Sequence, residues 1–155
     1  MLSRVSIKNN NKAQILKKLF AISGYKILVV IIFSCLALLI YSNTFRSPFQ
    51  FDDNPNIVSN LNIINLFNLR SIWNFWPTRF VTYFSLALNY HFSRLEVLGY
   101  HLFNLTVHIS SAFFVFWFTH LTFSTPEMKD KKIGNYATLI AFFTGLIFLT
   151  HPIQT

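Results

Sequence analysis

Asp52 and Asp53 stand side by side in a chain that has only five carboxylates. They come about ten residues after a hydrophobic run that ends at Tyr41. A carboxylate can serve as a general base or as a metal ligand. One held at a dry interface is the better base, because desolvation disfavours its charged form. The competing reading is a plain turn, since Asp52-Asp-Asn-Pro-Asn56 is rich in turn formers and helix caps. Two adjacent carboxylates reach one small site only if the backbone turns there, and Pro55 favours such a turn.

Arg79 sits in Trp76-Pro-Thr-Arg-Phe80. A guanidinium stays charged and grips phosphate through paired donors, so Arg79 is read as a phosphate contact, either to a lipid headgroup or to a substrate. Arg46 and Arg94 are weaker candidates for the same role. His101, Asn104, His108 and Ser111 follow at helical offsets and form one polar stripe, which is expected to hydrogen-bond neighbouring helices and to mark the buried face. The two histidines are seven residues apart, roughly 10 Å along a helix, too far to share one metal ion. No metal site is evident from spacing, and the residues leave the cofactor unknown. Asn104-Leu-Thr106 matches a glycosylation sequon but lies within an apolar run, so it is discounted. His151-Pro-Ile-Gln-Thr155 reads first as a helix end with polar caps. The four glycines are isolated, which leaves no glycine-rich phosphate loop.

The elements that must position these groups are membrane helices. Of 155 residues, 53% are hydrophobic and only 12% are charged, where a soluble domain carries about 25% charged residues. Mean hydropathy is +0.44, and the 19 phenylalanines are too many for a water-facing surface. The fold class expected is an all-α membrane protein with about three transmembrane helices, plus one or two interfacial helices in the first outer loop. The net charge of +8 does not indicate nucleic acid. Six of the thirteen basic residues (Arg4, Lys8, Lys12, Lys17, Lys18 and Lys26) precede the first apolar run, without an acid among them. Basic residues gathered there set the orientation of a span or meet anionic headgroups.

Residues 1–25 are read as a basic cytoplasmic tail, with Ile15, Leu16, Leu19, Phe20 and Ile22 able to lie on the membrane or the tip left disordered. Residues 26–155 form the membrane domain, with spans at about 26–43, 97–123 and 134–151 and an outer loop over 44–96. The core of span one, Ile27 to Tyr41, rises only roughly 22 Å, and Tyr25 and Lys26 extend it, lysine reaching headgroups through its stem. It starts late and lacks a small-residue cleavage pattern, so an uncleaved span is preferred to a signal peptide. Cys35, the only cysteine, is expected to be a small packing residue. In the loop, the recurrence of Leu66, Phe67, Leu69, Ile72, Trp73, Phe75 and Trp76, and then Phe80 to Phe92, predicts surface helices joined near Pro77, or a re-entrant segment over 80–92. Val97 to Phe123 has no charged residue, and Pro126 with the following charges ends it. His151-Pro152 stops span three.

Lys and Arg counts orient the spans. The tail and the 123–135 loop are basic, whereas the long loop has only Arg46, Arg70, Arg79 and Arg94. The N-terminus is therefore expected in the cytoplasm, and Asp52, Asp53 and His151 on the outer side. The ending at Thr155, directly after span three, suggests a fragment or truncated reading frame.

Phe51-Asp-Asp-Asn-Pro-Asn-Ile57, Arg79 before Val81-Thr-Tyr-Phe-Ser-Leu-Ala-Leu-Asn-Tyr90, Gly99-Tyr-His-Leu-Phe-Asn-Leu-Thr-Val-His108 and His151-Pro-Ile-Gln-Thr155 together resemble one family. It is the N-terminal part of the polytopic GT-C glycosyltransferases of the transmembrane-and-TPR type, related to protein O-mannosyltransferases and found also in bacteria. The motifs occur in the family's order and cover most of residues 41–155. The resemblance implies transfer of a sugar, mannose among the candidates, from a polyprenyl-phosphate carrier to an acceptor hydroxyl on a protein or glycan. It implies a bacterial inner (cell) membrane setting, with Asp52 and Asp53 as the catalytic pair (leaning to Asp52), Arg79 at the lipid phosphate, and His101 and His151 in support. It also implies further membrane helices and a C-terminal repeat domain. The chain departs from the family in having Phe80 where proline usually follows the arginine, and in ending before the acidic residue that commonly follows the histidine motif. The competing reading is a non-enzymatic three-span membrane protein or an inactive remnant.

Overall fold

The computed structural model describes residues 24–151. The expected amphipathic tail segment over 1–23 and the motif positions 152–155 lie outside the described residues. Among the described residues every regular element is helical and there is no strand. Helix α1 covers residues 24–41 and passes into a 3-10 turn, Ser42–Arg46. Two helices follow in the loop, α2 (Leu69–Phe75) and α3 (Phe80–Ser93). The rest are α4 (Val97–Phe123), the short α5 (Pro126–Lys129) and α6 (Ala137–Thr150), the last preceded by a 3-10 turn, Lys132–Tyr136. Three stretches are long and apolar enough to cross a membrane: Gly24–Arg46, Val97–Phe123 and Lys132–Thr150. They fit an integral membrane protein, and they agree with the three spans read from hydropathy. Gly24 and Tyr25, read as the end of the tail, belong to α1.

The chain divides into two compact units. Unit 1 is Met1–Ala37 with Ile109–Thr155, and unit 2 is Leu38–His108. Unit 1 is built on a narrow seam. Its buried residues are Val29, Phe33 and Ala37 of α1, Ala112 and Phe116 of α4, and Ala137, Ala141 and Leu149 of α6, with Gly145. Within each helix these positions recur every four residues, the spacing that places side chains on one ridge. Most are small, which lets helix backbones approach closely, as membrane helices do. The Phe33 ring lies 6.4 Å from Phe116 and 5.7 Å from Phe142. Off the seam, large apolar side chains such as Ile31, Phe118 and Ile147 are exposed. A helix that is apolar all round suits a lipid environment. Cys35 lies off the seam and is exposed, so it is not the packing residue expected.

Unit 2 has its own core of Ile57, Ile63, Ile72, Tyr83, Ala87 and Tyr100, with Phe49, Leu66, Phe80 and Phe84 packed against it. Its helices start and stop for local reasons. Asn68 caps α2, its side chain accepting from the Ser71 N–H at 3.1 Å. Trp76 precedes Pro77, and proline disfavours the helical conformation in the residue before it. Trp76 accordingly takes φ −155° and ψ 88°, and α2 ends there. The turn Pro77–Arg79 then restarts the chain into α3. Two loop helices joined at Pro77 are what the apolar recurrence predicts.

Candidate functional site

The acidic pair sits in a turn between the 3-10 turn Ser42–Arg46 and residue Asn54. Phe51 has φ 42°, one of two positive values outside glycine among the described residues. A bulky residue in that region is strained by about 1–3 kcal/mol, and such strain gathers at functional sites. The turn is closed by the Asp53 N–H to the Gln50 carbonyl at 2.8 Å. It then runs into a single π-helical turn, Asn54–Val58, closed by the Ser59 N–H to the Asn54 carbonyl at 2.9 Å. Such turns also recur at functional sites.

The two carboxylates part company here. Asp53 folds back and accepts from the Gln50 N–H at 3.0 Å, so it behaves as the turn former that its neighbours predict. The Asp52 carboxylate has no hydrogen-bond or ion-pair partner among the described residues, and Asp52 is exposed. Its backbone is nevertheless held twice: its carbonyl accepts from the Asn56 N–H at 3.2 Å and from Asn56 Nδ2 at 2.7 Å.

Asn56 is the hub of this segment. Its Oδ1 accepts from the Tyr83 hydroxyl on α3 at 2.7 Å. Tyr83 is 1% exposed. A buried tyrosine hydroxyl needs a polar partner, and Asn56 supplies it. A ladder of amides continues the network. Asn60 Nδ2 donates to the Asn56 carbonyl at 3.1 Å, Asn62 Nδ2 donates to Asn60 Oδ1 at 3.1 Å, and the Ser71 hydroxyl donates to Asn62 Oδ1 at 2.8 Å. The acidic turn is thereby fastened to both α2 and α3.

Arg79 joins the same cluster through aromatic contacts. Its guanidinium lies over the Trp76 ring, 4.8 Å from the centroid. The Trp76 ring in turn stacks on Tyr83 at 6.2 Å and 22°. Stacking uses the face of the guanidinium and leaves its N–H edge open. Arg79 is exposed and has no ion-pair partner among the described residues. It also stands at the N-cap of the 14-residue α3, where the helix dipole favours an anion. The cluster therefore offers an unpartnered carboxylate and an unpartnered guanidinium, both positioned by Tyr83 and its neighbours.

His101 is half-buried and does a different job. Its Nε2–H donates to the Ser47 carbonyl at 3.0 Å, which anchors the strand of loop leading to the acidic turn. Phe49 packs edge-on to Tyr100 at 5.3 Å in the same anchor. His108 meets the Tyr41 hydroxyl at 3.5 Å. The polar stripe thus bonds to neighbouring segments at His101 and His108, as expected, but Asn104 is exposed. The buried positions of α4 are Tyr100, Leu105, Ala112 and Phe116, so the stripe flanks the buried face and does not define it. Arg46 ends the first 3-10 turn, and Arg94 has φ 53° with its guanidinium 5.5 Å from the Tyr90 centroid. His151 terminates α6 in unit 1 with extended backbone, φ −71° and ψ 123°. Among the described residues no three His, Cys, Asp or Glu side chains converge.

Asn56 and Tyr83 were not singled out by type and spacing. The available signals were a tyrosine one helical turn after Arg79 in an apolar helix, which demands a buried partner, and an asparagine closing the Asp-Asp-Asn-Pro-Asn turn. Comparison with family models, curated proteins and solved structures finds no match to this chain.

Proposed function

We propose that this chain carries the catalytic loop of a membrane glycosyltransferase, moving a sugar such as mannose from a polyprenyl-phosphate carrier to an acceptor hydroxyl on the outer face of a bacterial inner membrane. The observation that carries the reading is the contrast at the acidic turn. Asp52 is fixed by its backbone with its carboxylate unpartnered, and Asn56 and Tyr83 tie it to the helix that begins at Arg79.

In the reaction, Asp52 takes the proton of the acceptor hydroxyl as that oxygen attacks the anomeric carbon. The bond from that carbon to the carrier phosphate oxygen breaks, and its electron pair leaves on the phosphate. Arg79 stabilises the negative charge that develops there. A positioned general base contributes typically about 10²–10⁴-fold. Asp53 holds the turn, and His101 holds the loop that leads to it. The exposed rings of Trp73 and Trp76 supply an apolar bed for the prenyl chain. The excess of Lys and Arg in the tail and in the 123–135 loop supports a cytoplasmic N-terminus, with the acidic turn outside.

The test is a lipid-linked sugar transfer assay in membranes carrying the native gene product. Asp52→Asn is expected to lower turnover by about 10²-fold or more. Asp53→Asn is expected to act less strongly and through the order of the turn. Full activity in the Asp52→Asn/Asp53→Asn double variant removes the catalytic assignment and leaves a non-enzymatic membrane protein.

A further inference from the structure

Unit 1 holds a second polar feature, unrelated to the acidic turn. A cavity of about 220 Å³ is lined by His120 and Ser124 from the end of α4 and just beyond it, Lys129 from α5, and Asn135 and Thr138 from the start of the third apolar stretch. Small-molecule sites usually run from about 300 to 1,000 Å³, so this one suits a compact polar group and not an extended substrate.

Its walls are built. The His120 ring stacks on Phe116 at 6.1 Å and 14°. The Tyr25 hydroxyl lies 3.2 Å from His120 Nε2, and Thr138 Oγ1 lies 3.5 Å from Nδ1. These contacts join the beginning of α1, the end of α4 and the beginning of the third apolar stretch around one imidazole. Gly134 closes the rim. A Cβ there would collide with the Met128 carbonyl and lie 2.7 Å from Lys129 Cα, so only glycine lets the two segments meet and bring Lys129 to the opening.

The lining has donors enough for an anion. Ser124, Asn135 and Thr138 each have an O–H or N–H to donate, and the Lys129 ammonium is the one donor-only group beside them and His120. Lys26, Lys131 and Lys132 lie in the flanking sequence against only Glu127 and Asp130, neither of which lines the cavity. The cavity also sits at the termini of all three membrane-crossing candidates, the depth at which lipid headgroups lie.

We infer that this cavity binds a phosphate group, presented by an anionic phospholipid headgroup at the membrane boundary. Lys129 supplies charge, and the Ser124 hydroxyl and Asn135 amide supply directed hydrogen bonds that general attraction to a charged surface does not require. A lysine near an anionic surface is worth about 1 kcal/mol, roughly fivefold in affinity, whereas a hydrogen bond to a charged group is worth more.

The protein, reconstituted in phosphatidylcholine vesicles with and without phosphatidic acid, is scored for retention of fluorescent phosphatidic acid, with inorganic phosphate as competitor. The native chain should retain the anionic lipid. Ser124→Ala with Asn135→Ala, both at exposed positions and neither changing the charge, should weaken retention by roughly tenfold. Lys129→Gln should do at least as much, and Lys131→Gln, outside the lining, no more than about fivefold. Equal losses from Lys129→Gln and Lys131→Gln, with no loss from the Ser124/Asn135 pair, show smeared surface charge only and overturn the site. Inorganic phosphate binding as well as the lipid supports the phosphate chemistry and overturns the lipid as its source.

Discussion

Replacing Tyr83 by phenylalanine tests the link between the acidic turn and the helix that carries Arg79. The substitution removes one oxygen and keeps the ring, with its contacts to Phe75 at 4.9 Å and Trp76 at 6.2 Å. What is lost is the 2.7 Å hydrogen bond to Asn56 Oδ1. A net hydrogen bond is worth about 0.5–1.5 kcal/mol, and a stranded buried acceptor costs about 1–3 kcal/mol. Asn56 is half-buried, so water can reach the acceptor in part, and a loss of about 1–2 kcal/mol follows. At that size the population in which the turn has come away from α3 rises roughly fivefold to thirtyfold. Hydrogen exchange of the reconstituted protein reads this directly. The amides of Asn56 and Ser59, which close the turn, should exchange faster by that factor in Tyr83→Phe, while those of α4 and α6 stay as they were. Tyr83→Ala also removes the ring and should expose α3 amides as well, at a cost of about 3–5 kcal/mol. If the turn amides in Tyr83→Phe exchange at native rates, the tether holds nothing, and the reasoning that couples Asp52 to α3 is refuted.

Two further outcomes are expected. Gly145→Ala would put a Cβ 2.8 Å from the Phe33 ring and 3.1 Å from the Ala112 carbonyl. Overpacking of this kind costs about 1–3 kcal/mol, against about 0.8–1 kcal/mol gained in helix propensity. A denaturant titration in detergent should therefore show no stabilisation, with Phe33→Leu restoring stability in the double variant. A gain of the full propensity term would show that unit 1 is not packed this tightly. For topology, Leu61→Cys in a Cys35→Ser background, at a position 78% exposed, should react with an impermeant thiol reagent in intact cells. Labelling only after lysis would place the acidic turn on the cytosolic side.

The helices were legible because their causes are local. Uninterrupted apolar runs gave Val97–Phe123 the same bounds in sequence and structure, and Pro77 marked the break between the two loop helices. The different hydrogen bonding of Asp52 and Asp53 was not legible. It follows from the left-handed backbone at Phe51 and from a hydrogen bond between residues 27 apart in sequence, neither of which has a compositional signature. The polar stripe on α4 was half informative. Helical spacing put His101 and His108 on one side, but which apolar neighbours occupied the centre of the contact depended on partners far along the chain. Cys35 shows the same limit, since a small residue in a span can face either way until the seam is known.

The four-residue beat of Val29, Phe33 and Ala37 against Ala137, Ala141, Gly145 and Leu149 leaves the intervening apolar positions with little to specify. Leu, Ile, Val and Phe are nearly interchangeable wherever a side chain meets only hydrocarbon. Mutational drift can thus rewrite most letters of these helices while their mutual fit survives. Kinship among chains of this design is better sought in the rhythm of small and aromatic residues than in overall percentage identity.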